Sequence, residues 1–159
     1  MSDVSGELER ATSVEQVNQV LRTAARRALR AHGATVVLLD GEQCYYADED
    51  SMSPLWKGQR FPAASCISGW AMLHRETVVI PDILVDERIP QAAYRPTFVR
   101  SLLMAPILHP DAIGAIGAYW AVGHLATPAE VAALEALAAQ AGAAFDRFPE
   151  GIPARGIFG

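Results

Sequence analysis

The sequence predicts an α+β domain in which helices cover one face of an antiparallel sheet. Two observations carry this prediction. Strand-like runs rich in β-branched and aromatic residues are joined by short turns, which make sequential strands antiparallel neighbours, and helical segments stand at both ends of the chain. With 159 residues, 51% of them apolar and 19% charged, the chain suits one well-cored domain rather than two.

The first predicted helix runs from about Ser13 to His32. Thr12 or Ser13 can cap its free amides, and Gly33 is expected to supply a left-handed stop. Its apolar residues step by 3, 4, 3 and 4, which gives a heptad-like seam made of Val14, Val17, Leu21, Ala24 and Ala28. One face of this helix is therefore expected to be buried.

A β-hairpin is predicted next. Residues 35–39 form a β-branched run, Asp40-Gly41 is a strong two-residue turn signal, and residues 43–47 provide the return strand. Residues 48–58 are then predicted to form a loop, and its aromatic residue is expected to pack against another part of the domain. Residues 59–61 are expected to return to the sheet.

The middle of the chain predicts a short helix, a strand and a long connection. Ser65 or Ser68 can cap the helix, which extends to about residue 75, and Pro81 ends the strand at 77–80 because proline cannot donate to a ladder. Residues 82–97 are polar and interrupted by proline, with a helical turn at 92–95. Long connections of this type carry function in compact domains.

Two strands and a helix complete the prediction. Strands 99–107 and 113–122 flank a Pro110-Asp111 turn, and Thr127-Pro128-Ala129-Glu130 is a capping box that starts a helix to about Arg147. This helix repeats the spacing of the first one with Val131, Leu134, Ala138, Ala141 and Phe145. The two end helices can therefore pack together, either within a chain or between chains.

Composition and charge argue against several function classes. The net charge of −5 provides no basic surface for nucleic acid. The longest apolar runs fall short of the roughly 20 residues that span a bilayer, so membrane insertion is not expected. The first residues lack a secretory signal, so we expect a cytoplasmic location. Cys44 and Cys66 lie far apart, and the four histidines are isolated, so neither a zinc framework nor another metal site is predicted.

Several motifs that occur in one order resemble the GAF domain family. They are Ile67-Ser68-Gly69-Trp70-Ala71, Val78-Val79-Ile80-Pro81-Asp82-Ile83, Val99-Arg100-Ser101-Leu102-Leu103 and Ile113-Gly114-Ala115-Ile116-Gly117. The resemblance covers residues 12–147, with a flexible N-terminus at 1–11 and a tail or linker at 148–159. It implies a six-stranded antiparallel sheet, with the terminal helices on one face and a loop-covered small-molecule pocket on the other.

A narrower resemblance concerns signalling proteins. The segments 40–47 and 56–62 resemble GAF input modules that precede the kinase cores of bacterial sensor histidine kinases. This implies a non-catalytic sensory module that binds a small molecule or partner, forms a homodimer through its terminal helices, and acts on a histidine kinase or another output domain.

The candidate ligand-binding residues combine the resemblance with the aromatic content of the chain, since pockets are mostly apolar with a few convergent polar groups. Tyr119 and Trp120 are adjacent in a strand, so one faces the helices and the other faces the pocket. Asp82 has the alternative role of capping the turn after Pro81. The full set is Trp56, Arg60, Trp70, Asp82, Tyr94, Arg95, Thr97 and Trp120.

Two activities known in the family depend on cysteines at particular positions. GAF photoreceptors carry their bilin cysteine where this chain has Ile89-Pro90, which argues against a covalent bilin, and the sequence leaves the identity of any cofactor unknown. The alternative function is a thiol-dependent redox enzyme of the free methionine sulfoxide reductase type, working through Cys44 and Cys66, but the loop 82–97 lacks the cysteine that those enzymes use. Nothing in the sequence brings Cys66 to a base such as His74, so no catalytic residue is predicted.

Overall fold

The computed structural model describes residues 3–151 and contains a six-stranded sheet in the order β3-β2-β1-β6-β5-β4, with every neighbouring pair antiparallel. The predicted fold class is confirmed. The strands are β1 (Gly33–Asp40), β2 (Gln43–Ser51), β3 (Arg60–Pro62), β4 (Val78–Ile80), β5 (Ser101–Leu108) and β6 (Ala112–Trp120).

Five helices accompany the sheet in the described part of the chain: α1 (Val4–Arg10), α2 (Val14–Ala28), α3 (Ile67–His74), α4 (Gln91–Tyr94) and α5 (Pro128–Phe145). The capping box at the start of α5 is present as predicted, with Thr127 and Glu130 each bonding the main chain of the other. Within residues 3–151 no helix is both long enough and apolar enough to span a bilayer.

One face of the sheet is covered by α2 and α5, which contact each other and the strands. Seam residues such as Leu21, Leu134 and Phe145 are completely buried there. Of the two arrangements left open by the spacing, the seams therefore pack within the chain. We call this region the helix-face core.

The other face of the sheet is covered by α3 and by the connections 52–59 and 81–100. Its core contains Tyr46, Trp56, Ile67 and Tyr119, together with apolar residues from β4, β5 and β6. We call this region the loop-face core.

The N-terminal segment differs from the expected flexible stretch. Asp3 accepts a hydrogen bond from the Gly6 amide at 3.0 Å, and Leu8 is buried against the helix-face core. The Arg147 side chain donates to the carbonyls of Leu8 and Ala11 at 2.6 and 2.7 Å. Of the predicted tail, Pro149–Gly151 forms a 3-10 turn, and residues 152–159 lie outside the described residues.

The end of α2 also differs from the expected one. The left-handed residue is Arg30, with φ of 50°, and Gly33 instead begins β1. A Cβ atom at Gly33 would lie 2.8 Å from the Cβ of Ser51 and 3.0 Å from the ring of Phe98. Gly33 therefore allows close packing against Ser51 and Phe98 and does not end the helix.

Candidate functional site

A cavity of about 110 Å³ lies over the loop-face core, between the 52–62 segment and the 90–94 segment. This volume is below the roughly 300–1,000 Å³ of typical ligand sites, so the cavity in this state suits a small guest. Its lining residues are Tyr46, Trp56, Phe61, Pro62, Ser65, Cys66, Pro90, Ala93 and Tyr94.

Trp56 forms the centre of the cavity wall because Glu49 on β2 holds its loop. The Glu49 carboxylate accepts hydrogen bonds at 2.9–3.0 Å from the main-chain amides of residues 55–57. The Trp56 Nε1–H group then donates to the carbonyl of Ala93 at 3.0 Å. This bond joins the two loops that cover the cavity.

Aromatic rings meet around Trp56 in edge-on and tilted geometries. Its ring centroid lies 5.5 Å from that of Tyr46, 4.7 Å from that of Tyr94 and 5.5 Å from that of Tyr119. Phe61 extends the group with a perpendicular contact to Tyr46 at 5.5 Å. Such contacts add to the stability of the wall beyond the buried area.

Two buried tyrosine hydroxyls in this region have different surroundings. The Tyr119 hydroxyl is hydrogen-bonded to Thr35 at 2.9 Å. The Tyr94 hydroxyl has no partner among residues 3–151, although the residue is only 3% exposed. Burial raises the pKa of Tyr94 well above its usual value, so this group stays protonated.

A chain of buried polar atoms runs beneath the cavity. The Tyr46 hydroxyl lies 3.2 Å from Ser68 Oγ, and Ser68 Oγ lies 3.4 Å from Cys66 Sγ. Cys44 on β2 belongs to the same buried core and affects the pKa of the Cys66 thiol. Both cysteines are free thiols.

The two thiols are electrostatically unequal. The interaction with Cys44 lowers the pKa of Cys66 to about 7 against the opposing effect of burial, with further help from Ser68 and the Gly69 amide at the start of α3. The same interaction and burial raise the pKa of Cys44. Cys66 is therefore the thiol that ionises first.

The position of Cys66 depends on close packing of α3. A Cβ atom on Gly69 would overlap the carbonyl oxygen of Ala63, so only glycine lets α3 approach the 3-10 turn at Ala63–Ser65. Cys66 stands between these two elements as the N-cap of α3. The predicted caps, Ser65 and Ser68, lie one residue before it and two residues after it.

Two of the eight candidate residues, Trp56 and Tyr94, line the cavity. Arg60 instead pairs with Asp40 at 3.0 Å and lies over the ring of Tyr45, on the outer side of β3. Trp70 also lies away from the cavity lining, where its ring stacks on His74 with a centroid distance of 3.9 Å.

The remaining candidates have other surroundings. Asp82 accepts a hydrogen bond from the Leu84 amide, which is the capping alternative raised from the sequence. Thr97 donates to the Tyr94 carbonyl at 2.7 Å and shapes the turn, while Arg95 is exposed. Trp120 belongs to the helix-face core, because strand alternation turns Tyr119 toward the loops.

Seven of the nine lining residues, and the positioning residue Glu49, were absent from the candidate set. Tyr46 could have been found from strand alternation, since Cys44 and Tyr46 share one face of β2. Phe61, Cys66 and Glu49 acquire their roles from packing between elements that are distant in sequence.

No group of three or more metal-ligating side chains occurs within residues 3–151.

An antiparallel six-stranded sheet with end helices on one face and a loop-covered cavity on the other is the architecture of a GAF domain. The sequence matches the GAF domain family model over residues 11–146, and the chain belongs to this family. The GAF family comprises sensory and signalling modules. The comparison with curated proteins found no significant match.

Solved structures with the same fold come from several contexts. The GAF domain of an Acinetobacter phosphoenolpyruvate-protein phosphotransferase has a TM-score of 0.81 at 14% identity, covering 92% of this chain and 90% of that one. The free methionine-R-sulfoxide reductase of Neisseria meningitidis has a TM-score of 0.69 at 18% identity, covering 96% of each chain.

A third structure is a domain assigned to a two-component sensor histidine kinase of Sinorhizobium meliloti, with a TM-score of 0.68 at 15% identity, covering 87% of this chain and 94% of that one. At these identities the likeness shows the shared fold.

Proposed function

We propose that this GAF domain is a non-catalytic sensory module of bacterial signal transduction that binds a small molecule in the cavity above the loop-face core. The unpaired hydroxyl of Tyr94 is the observation that carries the proposal. A buried polar group without a partner costs free energy, and a guest that accepts its hydrogen bond recovers that cost.

The lining defines the chemistry of the guest. Trp56, Tyr46 and Phe61 offer aromatic faces and edges, and Tyr94 offers one donor. A small, largely apolar molecule with one hydrogen-bond acceptor fits this set. A larger ligand requires the two loops to separate, which breaks the bond between Trp56 and Ala93.

A chain of ion pairs supports coupling from the cavity to the helices. Lys57, beside Trp56, lies 3.2 Å from Asp48 on β2, and Asp48 also pairs with Arg22 of α2 at 2.8 Å. Arg26 of α2 pairs with Asp50 at 2.8 Å. Movement of the Trp56 loop therefore alters a carboxylate that α2 also contacts, and α2 can pass the change to an output domain, such as a histidine kinase.

The proposed homodimer uses the outer side of α5, since its apolar seam is already buried within the chain. The exposed residues of that side are mostly alanine, which permits close approach of a second helix: Ala129, Ala132, Ala136, Ala139 and Ala143. Light scattering of the wild type and Ala136→Glu tests this surface. We expect a dimer that the variant weakens; a monomer in both proteins contradicts the proposal.

The two free thiols agree with a reducing cytoplasm.

Ligand binding is tested first by mass spectrometry and absorption spectroscopy of the purified protein, which would reveal a retained molecule. Phenol then serves as a defined probe, because it combines a small ring with one hydroxyl. We expect phenol to raise the melting temperature of the wild type and of Tyr45→Phe, whose ring lies outside the cavity, and to have a much weaker effect on Tyr94→Phe. Equal responses of all three proteins would contradict a role for the Tyr94 hydroxyl.

A thiol-dependent reductase is the second candidate function. Two observations favour it: Cys66 lines the cavity, and the fold matches that of a free methionine-R-sulfoxide reductase. Reduction of free methionine-R-sulfoxide by dithiothreitol tests it, with Cys66→Ser as the matched control. Turnover that disappears in the variant supports this function, whereas equal background rates exclude it.

A further inference from the structure

Two histidine side chains hold the connection between β6 and α5, which consists of residues 121–127. At its start, the main-chain N–H of Ala121 donates to Nδ1 of His32 at 2.8 Å. Toward its end, His124 Nε2 lies 2.8 Å from the carboxylate of Glu130 in the first turn of α5. Neither histidine lines the cavity, so the sensory proposal gives them no role.

His32 stands where several elements meet. It lies between α2 and β1, its main-chain N–H donates to the Tyr119 carbonyl at 2.9 Å, and its carbonyl accepts from the Met52 amide at 2.9 Å. Those two bonds use the main chain, and the ring supplies the bond to Ala121. The ring therefore fastens the corner between α2 and β1 to the β6–α5 connection.

The bond to Ala121 defines the protonation state of the His32 ring. A main-chain N–H can only donate, so Nδ1 accepts through its lone pair and the neutral ring carries its proton on Nε2. An imidazolium has a proton on both nitrogens and offers no acceptor, so protonation of His32 breaks this bond. Histidine side chains change charge between about pH 5 and pH 8. The bond is thus present at the alkaline end of that range and is lost at the acidic end.

His124 responds to protons in the opposite sense. Burial opposes the ionisation of Glu130, but the bonds from the Thr127 amide and from His124 outweigh it and lower the pKa of Glu130. The Glu130 carboxylate, which faces His124 from α5, therefore stays ionised while histidines titrate. Protonation of His124 then turns its hydrogen bond into a stronger, charge-assisted one.

The charged groups near His32 leave its ring free of ion pairs. Within residues 3–151, no carboxylate pairs with this ring. On the neighbouring elements, Arg26 of α2 pairs with Asp50 of β2 at 2.8 Å, and Arg30, just after α2, is exposed. The response of the ring to protons thus rests on its bond to the main chain.

We propose that His32 and His124 form a proton-responsive latch on the β6–α5 connection, which acid opens at the β6 end and tightens at the α5 end. At alkaline pH the connection is fastened to the corner between α2 and β1, and in acid it is fastened to the start of α5. This inference goes beyond ligand binding in the cavity, because the input is a proton and the element acted upon is the connection into α5. That helix also carries the surface of the proposed homodimer.

The first test locates the ring protons in the wild-type protein. Long-range proton–nitrogen NMR at about pH 8 distinguishes a protonated from an unprotonated ring nitrogen in neutral histidine. We expect His32 to carry its proton on Nε2. His74 is an internal control with the opposite tautomer, because its Nδ1 lies 2.9 Å from the Trp70 carbonyl oxygen and must donate. A proton on Nδ1 of His32 at this pH would overturn the proposal.

The second test follows the Ala121 amide as the pH falls from about 8 to about 5. We expect its protection against hydrogen exchange, corrected for the intrinsic effect of pH, to fall about fivefold, which corresponds to the loss of one ordinary hydrogen bond. Its proton resonance should move together with the titration of the His32 ring. A His32 ring that titrates without any response at Ala121 would contradict the latch.

Variants separate the two ends of the latch. In His32→Asn the side-chain oxygen can accept from Ala121 and does not titrate, so we expect Ala121 to stay protected throughout this pH range. In His124→Gln the response of Ala121 should persist, whereas the first turn of α5 should no longer gain protection in acid. His109→Gln is the control, since His109 lies 3.8 Å from Asp146 at the other end of α5. A wild-type pH response of Ala121 in His32→Asn would refute the assignment.

The decision does not depend on the variants alone. If one of them fails to fold by circular dichroism, the tautomer of His32 and the titration of Ala121 in the wild-type protein still decide. The phenol experiment concerns the cavity on the other face of the sheet. Failure of one proposal therefore leaves the other standing.

Discussion

The two faces of the sheet are packed by different kinds of element. The helix-face core is filled by the interlocking side chains of α2, α5 and three long strands, with Leu134 and Phe145 completely buried. The loop-face core relies on α3 and irregular connections, and it contains a cavity and a chain of polar atoms. The helix face is thus packed by regular elements, whereas the loop face contains the cavity and the polar groups.

The comparison predicts that equal truncations have unequal costs. Phe145→Ala, in the helix-face core, should lower the free energy of unfolding by about 3–5 kcal/mol, since it leaves a large void. Phe61→Ala, at the half-buried cavity wall, should lower it by roughly 1–2 kcal/mol. Urea unfolding of both variants measures the difference. Equal losses would show that the loop face is as tightly packed as the helix face.

The contact between Gly69 and Ala63 predicts an effect confined to the loop face. Gly69→Ala introduces a methyl group where a carbonyl oxygen lies, so we expect a loss of about 1–3 kcal/mol from overpacking. Phenol binding should weaken as well, because α3 carries Cys66. The control is Gly41→Ala, where nothing lies within 4 Å and only a positive φ of 63° opposes the change. That variant should leave phenol binding intact.

Glu49 predicts a smaller and local effect. Replacing Glu49 with alanine removes the acceptor of three amides, and we expect the free energy of unfolding to fall by about 1–2 kcal/mol. Hydrogen exchange in residues 55–58 should accelerate more than exchange in α2. Glu42→Ala, at an exposed side chain of the same strand region, serves as control. Exchange that accelerates equally in both segments would indicate global destabilisation instead.

The smallest effect comes from the two buried tyrosines. Tyr119→Phe breaks the bond to Thr35 and should cost roughly 1 kcal/mol. Tyr94→Phe removes a hydroxyl that has no partner in the described part of the chain, so the free protein should be unchanged or slightly more stable. Thermal unfolding without ligand tests the pair. A clear loss in Tyr94→Phe would mean that its hydroxyl is already satisfied in the free protein.

Much of the fold could be predicted from the sequence because local signals agreed with it. The Asp40-Gly41 turn, the Thr127 capping box and the matched helical seams each specify a neighbouring structure. Helix α1 could not be predicted in this way. It buries little apolar surface of its own, and its carbonyls are held by Arg147, more than a hundred residues away.

Less of the candidate site than of the fold could be predicted from the sequence. Tyr94, which the resemblance placed on the pocket side, and Trp56, which its aromatic ring made a candidate, line the cavity because each stands in a connection that covers the sheet. Arg60 and Trp120 lie elsewhere because a shift of one residue along a strand reverses the face of a side chain. Cys44 and Cys66 meet in the loop-face core through tertiary packing, which leaves no local signal in the sequence.

The bonds from Arg147 to the carbonyls at the end of α1 have a mechanical consequence. They fasten the end of α5 beside the start of α2, so the chain enters and leaves the domain at one place. A pull on residues 3 and 151 would act first on these two bonds and on Leu8, before any strand of the sheet bears tension. Under force, α1 therefore detaches first, while the cavity keeps its shape.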